Sequence, residues 1–158
     1  MPMIKSIGVA QNAPGNTINN FSPAWLPDLN NQKTDLGQIS VDHDFLQTIG
    51  AKFVAGRNFD INVASDKTTG MIINQSAVKA LNLTDPIGKK IVVQNNVDTP
   101  NNELEVIGVI EDMQYFTLRE ASKPVMYYIK DWGKYEIALK LGSGNYSSTL
   151  KQIETIWK

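Results

Sequence analysis

INQSAVKALNLTDPIGKKI, residues 73–91, decides how this chain is read. Asn74, Asp85, Lys89 and Lys90 carry the chemistry of an anion-binding loop. A phosphate cradle, however, needs closely spaced glycines, because backbone amides converge on an anion only where side chains leave room. The stretch lacks such a run. Local backbone chemistry accounts for its polar residues instead. Asn74 is placed to cap a helix, its side-chain oxygen accepting an amide hydrogen from the first turn. Ala77, Val78 and Leu81 then share one helical face, and Asn82 tolerates the left-handed exit. Asp85-Pro86 blocks further helix, Gly88 turns the chain, and residues 90–94 start a strand. With residues 71–73 as a buried strand before it, the stretch is a strand–helix–strand unit and predicts architecture, not catalysis.

Outward from this unit the pattern is mixed. Residues 4–9 predict a first strand. Residues 11–33 are rich in Asn, Pro and Gly and predict a long loop with at most one short strand around Phe21, Trp25 and Leu26. Residues 38–41 predict a short strand. Asp42 or Asp44 is positioned to cap a short helix with Phe45, Leu46 and Ile49 inward and Gly50 at its exit. Residues 52–54 return as a strand, and 62–70 read as a polar loop. Residues 95–102 form a polar turn, 104–110 a strong buried strand interrupted by Gly108, and 125–129 another strand. Tyr135, Ile137, Leu139 and Leu141 alternate with Glu136, Ala138 and Lys140, which predicts a half-buried strand. Tyr146, Leu150, Ile153 and Trp157 form a helical stripe, with Asn145 or Ser147 as its cap. The stripe is still running at Lys158, which predicts a helix continued in a longer protein.

Composition excludes several classes. The 158 residues suit one domain or two small lobes. A net charge of −1 supplies no drive toward nucleic acid. Without cysteine there is no disulfide framework and no thiolate-bound zinc. The longest apolar runs are about five residues, far short of the ~20 that span a bilayer.

Candidate chemistry is thin. His43 is the only histidine, so any Ser-His-Asp triad has to use it, and no Gly-x-Ser-x-Gly turn presents a nucleophile. Asp42-His43-Asp44 reads more simply as a helix start than as a metal site. Glu111-Asp112, at the end of the buried strand, has the composition of a catalytic carboxylate pair but equally that of a solvated turn or helix cap. Asn95, Asn96, Asp98 and Glu103 lack the spacing of a calcium loop. No catalytic, cofactor or metal residue is therefore assigned. Phe21, Trp25, Tyr115 and Phe116 are large rings within polar sequence and are the candidate partner contacts.

The motifs in order are more specific than any one of them. Val41-Asp42-His43-Asp44-Phe45-Leu46 leads to Gly50 and then Gly56-Arg57-Asn58-Phe59. Ile73-Asn74-Gln75-Ser76-Ala77 leads through Ala80-Leu81 to Pro86-Ile87-Gly88-Lys89. Val106-Ile107-Gly108-Val109-Ile110-Glu111-Asp112 leads to Leu118-Arg119 and Pro124. Over residues 38–130 this succession resembles the periplasmic core domain of MacB/FtsX-type ABC-transporter permeases. Gln75 stands where a glutamate is common in that family.

The resemblance implies an α+β (mixed α/β) fold of two lobes. Residues 1–41 plus 124–158 would form a porter-like α/β lobe from both chain ends, with residues 42–123 as an inserted, strand-rich lobe. It implies a non-catalytic extracytoplasmic domain of an inner-membrane protein, coupling cytosolic ATP hydrolysis to export or to periplasmic mechanotransmission. The implied partners are the flanking transmembrane helices, an ABC ATPase domain or subunit, and a periplasmic adaptor or second permease protomer, with no nucleic acid. The rival readings are a stand-alone carbohydrate- or peptide-binding module and a hydrolase using Glu111 and Asp112.

Overall fold

The structure, a computed structural model, describes residues 3–29, 32–94, 102–115, 121–131, 136–144 and 146–157. In chain order its elements are β1 (Ile4–Ala10), β2 (Phe21–Trp25), β3 (Thr34–Val41), α1 (Phe45–Thr48), β4 (Phe53–Gly56), α2 (Ala64–Thr68) and β5 (Gly70–Asn74). There follow α3 (Gln75–Ala80), β6 (Lys90–Val93), β7 (Asn102–Ile110), β8 (Val125–Ile129), β9 (Glu136–Leu141) and α4 (Tyr146–Trp157).

The strand ladders close on themselves. β2 pairs with β6, β6 with β7, β7 with β5, β5 with β8, β8 with β3, and β3 returns to β2. The β5–β7 and β3–β8 pairings are parallel and the other four antiparallel. β1 and then β9 extend the sheet outward from β3, and β4 lies along β7.

Side chains from all six ring strands meet in one apolar cluster: Ala24, Leu36, Met71, Ile73, Ile91, Val93, Leu104, Val106, Val109 and Met126. A cluster fed by every strand of a closed ring is its interior, packed as in other small barrels. Ala77 and Leu81 join it from α3 and the turn beyond. A second cluster coats the outside, where Ile39, Val41, Ile72, Ile110 and Tyr127 pack with Phe45 and Leu46 of α1. β5 serves both, Met71 and Ile73 inward and Ile72 outward, so all five of its residues are buried.

The strand–helix–strand unit forms as its sequence predicts. Asn74 accepts the amide hydrogen of Ala77 at 3.0 Å. Asn82 takes φ 51° and Gly88 φ 79°, the left-handed positions of the exit and the turn. Asp85 also stands at φ 51°, a conformation that its short polar side chain tolerates.

Several local expectations are corrected. β3 starts at Thr34 rather than residue 38, because residues 34–37 find β2 as a partner. Residues 62–70 are not wholly loop: they contain α2, anchored by the buried Asp66. α1 has Asp44 in the cap position without a side-chain cap bond. Asp42 acts instead across the ladder, accepting from the amide of Val9 at 2.9 Å and of Asp44 at 3.2 Å.

β9 departs from its predicted pattern at Ile137 and Ala138, while Leu139 and Leu141 are half-buried and Lys140 is exposed. Ala138 packs against the outer core, while Ile137 is 47% exposed. The cause lies across the ladder, where Ala138 pairs with Gly8. A Cβ on Gly8 would strike the backbone of Phe45, so only this small-residue face admits α1. The α4 stripe is likewise turned outward: Tyr146 and Leu150 are about half exposed, and Thr149 is the buried residue, its hydroxyl 3.3 Å from the Met3 sulfur.

Ladders join residues 1–41 and 124–158 to residues 42–123. β6 pairs with β2 and β5 with β8, so both segments contribute to one ring and to both clusters.

Candidate partner-contact surface and polar joints

The three described candidate rings, Phe21, Trp25 and Tyr115, do not share an exposed surface. Phe21 begins β2 and is 38% exposed, with the Lys123 ammonium 5.9 Å from its ring centroid. Trp25, four residues later on the same strand, is 8% exposed and is covered by Lys33, whose ammonium lies 4.5 Å from the ring centroid. Tyr115 is 3% exposed and packs at 6.4 Å from Tyr127, so it is a core residue. Burial pushes both phenols up. Phe116 lies outside the described residues. Of the three described candidates, Phe21 is the one that presents itself to solvent.

The candidate carboxylates are drawn to different partners. Asp112 accepts from the amide of Ser76 at 2.9 Å and from its hydroxyl at 2.7 Å, securing the first turn of α3. Glu111 reaches Lys52 at 3.6 Å in an exposed pair. A carboxylate pair for glycoside chemistry needs both groups facing one substrate bond; these two face a helix terminus and a lysine. The backbone carbonyl of His43 accepts from Asn58 at 3.2 Å. Among the described residues no group of histidines and carboxylates is arranged to hold a metal ion.

Two polar joints stand out. At the first, Asn74 links three elements. Its oxygen accepts from Ala77 and, at 2.9 Å, from the amide of Val125 at the start of β8. Its nitrogen donates to the carbonyl of Lys123 at 2.9 Å. At the second, Arg57 grips Asp66 through both guanidinium nitrogens, at 2.6 and 2.8 Å. Asp66 is buried and also accepts from the amide of Asp60. The Arg57 hydrogen bond holds the Asp66 carboxyl below its ordinary range. Sequence alone did not pair these two: Arg57 stood in a recognisable motif, but Asp66 sat in a stretch read as loop. The joint fixes the turn from β4 into α2, beside a crossing where Gly56 and Gly108 bring two backbones together. A Cβ on either glycine would strike the carbonyl oxygen of Ile107 or Arg57 respectively.

Comparison with known proteins places this geometry. A family model described as the MacB-like periplasmic core domain matches residues 5–154. No curated protein matches the chain. Among solved structures, the periplasmic region of MacB from Actinobacillus actinomycetemcomitans aligns with a TM-score of 0.65 and 14% identity, covering 97% of this chain and 65% of that one. The extracellular domain of the noncanonic ABC-type transporter YknZ from Gram-positive bacteria aligns at 0.63 and 16%, covering 94% and 70%. A domain of a Porphyromonas gingivalis protein assigned as a permease aligns at 0.64 and 15%, covering 96% and 68%. At these identities the structures share the fold, and the chain spans slightly less than two thirds of the MacB region.

Proposed function

The chain belongs to the family of MacB-like periplasmic core domains of ABC-transporter permeases, and from that premise we propose that it is a non-catalytic relay in such a permease. In this reading it sits on the periplasmic side of the inner membrane. Flanking transmembrane helices connect it to a cytosolic ABC ATPase, and it passes displacement to a periplasmic adaptor or a second protomer. The carrying observation is that the family match spans nearly the whole chain, residues 5–154.

The ladder connectivity supports a mechanical role. Met3 bonds through its carbonyl to the amide of Gly142 at 2.7 Å and touches Thr149 of α4. Force entering near either of these segments therefore enters the same β1–β9 ribbon. Residues 1–41 and 124–158 form the membrane-proximal part of the relay, and residues 42–123 the distal part. Ladders β8–β5 and β2–β6 connect the two, so a push on one side is passed to the other. Phe21 is the proposed contact to a partner, with Phe116 as a second.

The test uses the full-length permease with its ATPase in proteoliposomes. Deleting residues 5–154 is expected to leave ATP hydrolysis measurable and to abolish its coupling to export. Glu111→Gln is expected to leave coupling intact. Undiminished coupling after the deletion, or loss of coupling with Glu111→Gln in a folded protein, overturns the relay reading.

A further inference from the structure

We propose that β9 is a self-complementary edge through which two copies of this chain pair. The pairing would give the relay reading its contact to a second protomer, but it stands on β9 alone. Among the described residues β9 pairs with β1 and with no other strand. The direction of its backbone groups follows from β1. Val9 donates its amide hydrogen to the Asp42 carboxylate, and its carbonyl accepts from the Asp42 amide, so its backbone groups face β3. Such groups alternate along a strand. Gly8 and Ala10 therefore bond toward β9, where Ala138 and Glu136 stand opposite them. Ile137 and Leu139 direct their N–H and C=O groups the other way, to the open edge.

Lysine on an edge strand ordinarily discourages further pairing. Lys140 is exposed and has no ion-pair partner among the described residues. Glu136 lies on the same face of the strand. Its carboxylate accepts from the amide of Ala13 at 2.7 Å and from the side chain of Asn16 at 2.6 Å. Both donors are neutral, and a carboxylate has acceptor sites to spare, so Glu136 can still receive a cation. An antiparallel two-fold centred on Ala138 sets Glu136 of each copy opposite Lys140 of the other, and Ile137 opposite Leu139. Moving the centre by one residue leaves both charges unmatched. Moving it by two sets Lys140 opposite Lys140, or Glu136 opposite Glu136. The charge pattern thus blocks other registers and selects this one.

The apolar surface obeys the same symmetry. α1 covers the ribbon face of Gly8 and Ala138. On the other face Ile7 pairs with Leu139 and Val9 with Ile137. Ile7 is 50% exposed and Ile137 47%, while Val9 and Leu139 are half-buried. The two-fold joins the two sets into one aliphatic stripe across both ribbons. The strand contact is narrower than a standard interface, so the pairing is transient.

The chain has no cysteine, so introduced thiols report the contact. Ile137→Cys and Leu139→Cys chains are mixed in equal amounts in a glutathione redox buffer, and their disulfides are counted by intact mass. Position 137 faces position 139 of the second copy within disulfide reach, whereas like positions lie on the diagonal. The mixed disulfide is expected to exceed either symmetric one by about tenfold. Lys140→Glu in both chains, which opposes like charges at both ends, should lower it about tenfold. Glu136→Lys/Lys140→Glu restores opposite charges and should recover it; if that chain does not fold, Lys140→Gln should give an intermediate yield. A mixed disulfide at chance proportion, or one indifferent to the charge at position 140, overturns the proposal. So does the absence of any interchain disulfide, the outcome expected of an edge kept for a different protein's strand. Failure here removes the β9 contact and leaves the relay reading to its own deletion test.

Discussion

Asn74 accepts the amide hydrogen of Val125 at 2.9 Å across 51 residues of sequence, with the same oxygen that caps α3. One side chain thus starts a helix and fixes where β8 enters the ring. Asn74→Ala removes a helix cap and strands a buried amide. The expected loss is about 2–4 kcal/mol. It should be read as a lower urea midpoint at unchanged slope.

Acid should weaken the second joint. Asp66 has its carboxyl held low by Arg57, so its folded-state pKa lies below the unfolded value. The stability this supplies is complete above the ordinary carboxylate range of about 4 and is lost as pH falls through the lower folded value. Urea unfolding between pH 6 and pH 2 should show this dependence in the native chain and a shallower one in Asp66→Asn. That variant should also be less stable at neutral pH by about 1–3 kcal/mol, since it weakens the hydrogen bonds of a buried carboxylate to a half-exposed arginine.

Gly8→Ala should be costly although alanine is the milder residue for a strand. The added Cβ meets the Phe45 backbone, which cannot yield without moving α1 off the sheet. Overpacking of this kind costs about 1–3 kcal/mol. Thermal unfolding checks it, with Ala138→Ser on the paired strand as a smaller perturbation of the same face.

Phe21 and Trp25 should separate stability from recognition. Trp25→Ala empties a buried site and is expected to cost about 3–5 kcal/mol. Phe21→Ala, at a partly exposed ring, is expected to cost under about 1 kcal/mol and, in the proposed relay, to weaken binding of its proposed periplasmic partner. Denaturant midpoints together with pull-downs of the proposed partners, a periplasmic adaptor or a second permease protomer, by the full-length permease distinguish the two. Intact adaptor binding by Phe21→Ala would remove Phe21 from the contact surface.

The legible parts of the chain were those governed by neighbours in sequence. The Asn74 cap, the left-handed Asn82 and Gly88, and the strands around 71–73, 104–110 and 125–129 followed from chemistry within a few residues. The ordered motifs were sufficient to identify the family, while local reasoning left Asp112 open between a solvated turn and a helix cap and did not name Ser76 as its partner. α2 was missed because its anchor, Asp66, depends on an arginine nine residues earlier and on burial that no local pattern announces.

Short-range propensity and apolar period thus gave the type of most elements, α2 being the exception. Tertiary pairing settled the rest. Closure of the ring depends on β2 finding both β3 and β6, and a strand's period states which residues share a face but not which face is inward. β9 shows this at one pair: Ala138, beside Gly8 across the ladder, packs on the core and Ile137 is left outside, while Leu139 and Leu141 stay half-buried. Trp25 and Tyr115 went inward for the same reason, because a ring in polar sequence is buried or exposed according to which distant strands arrive beside it.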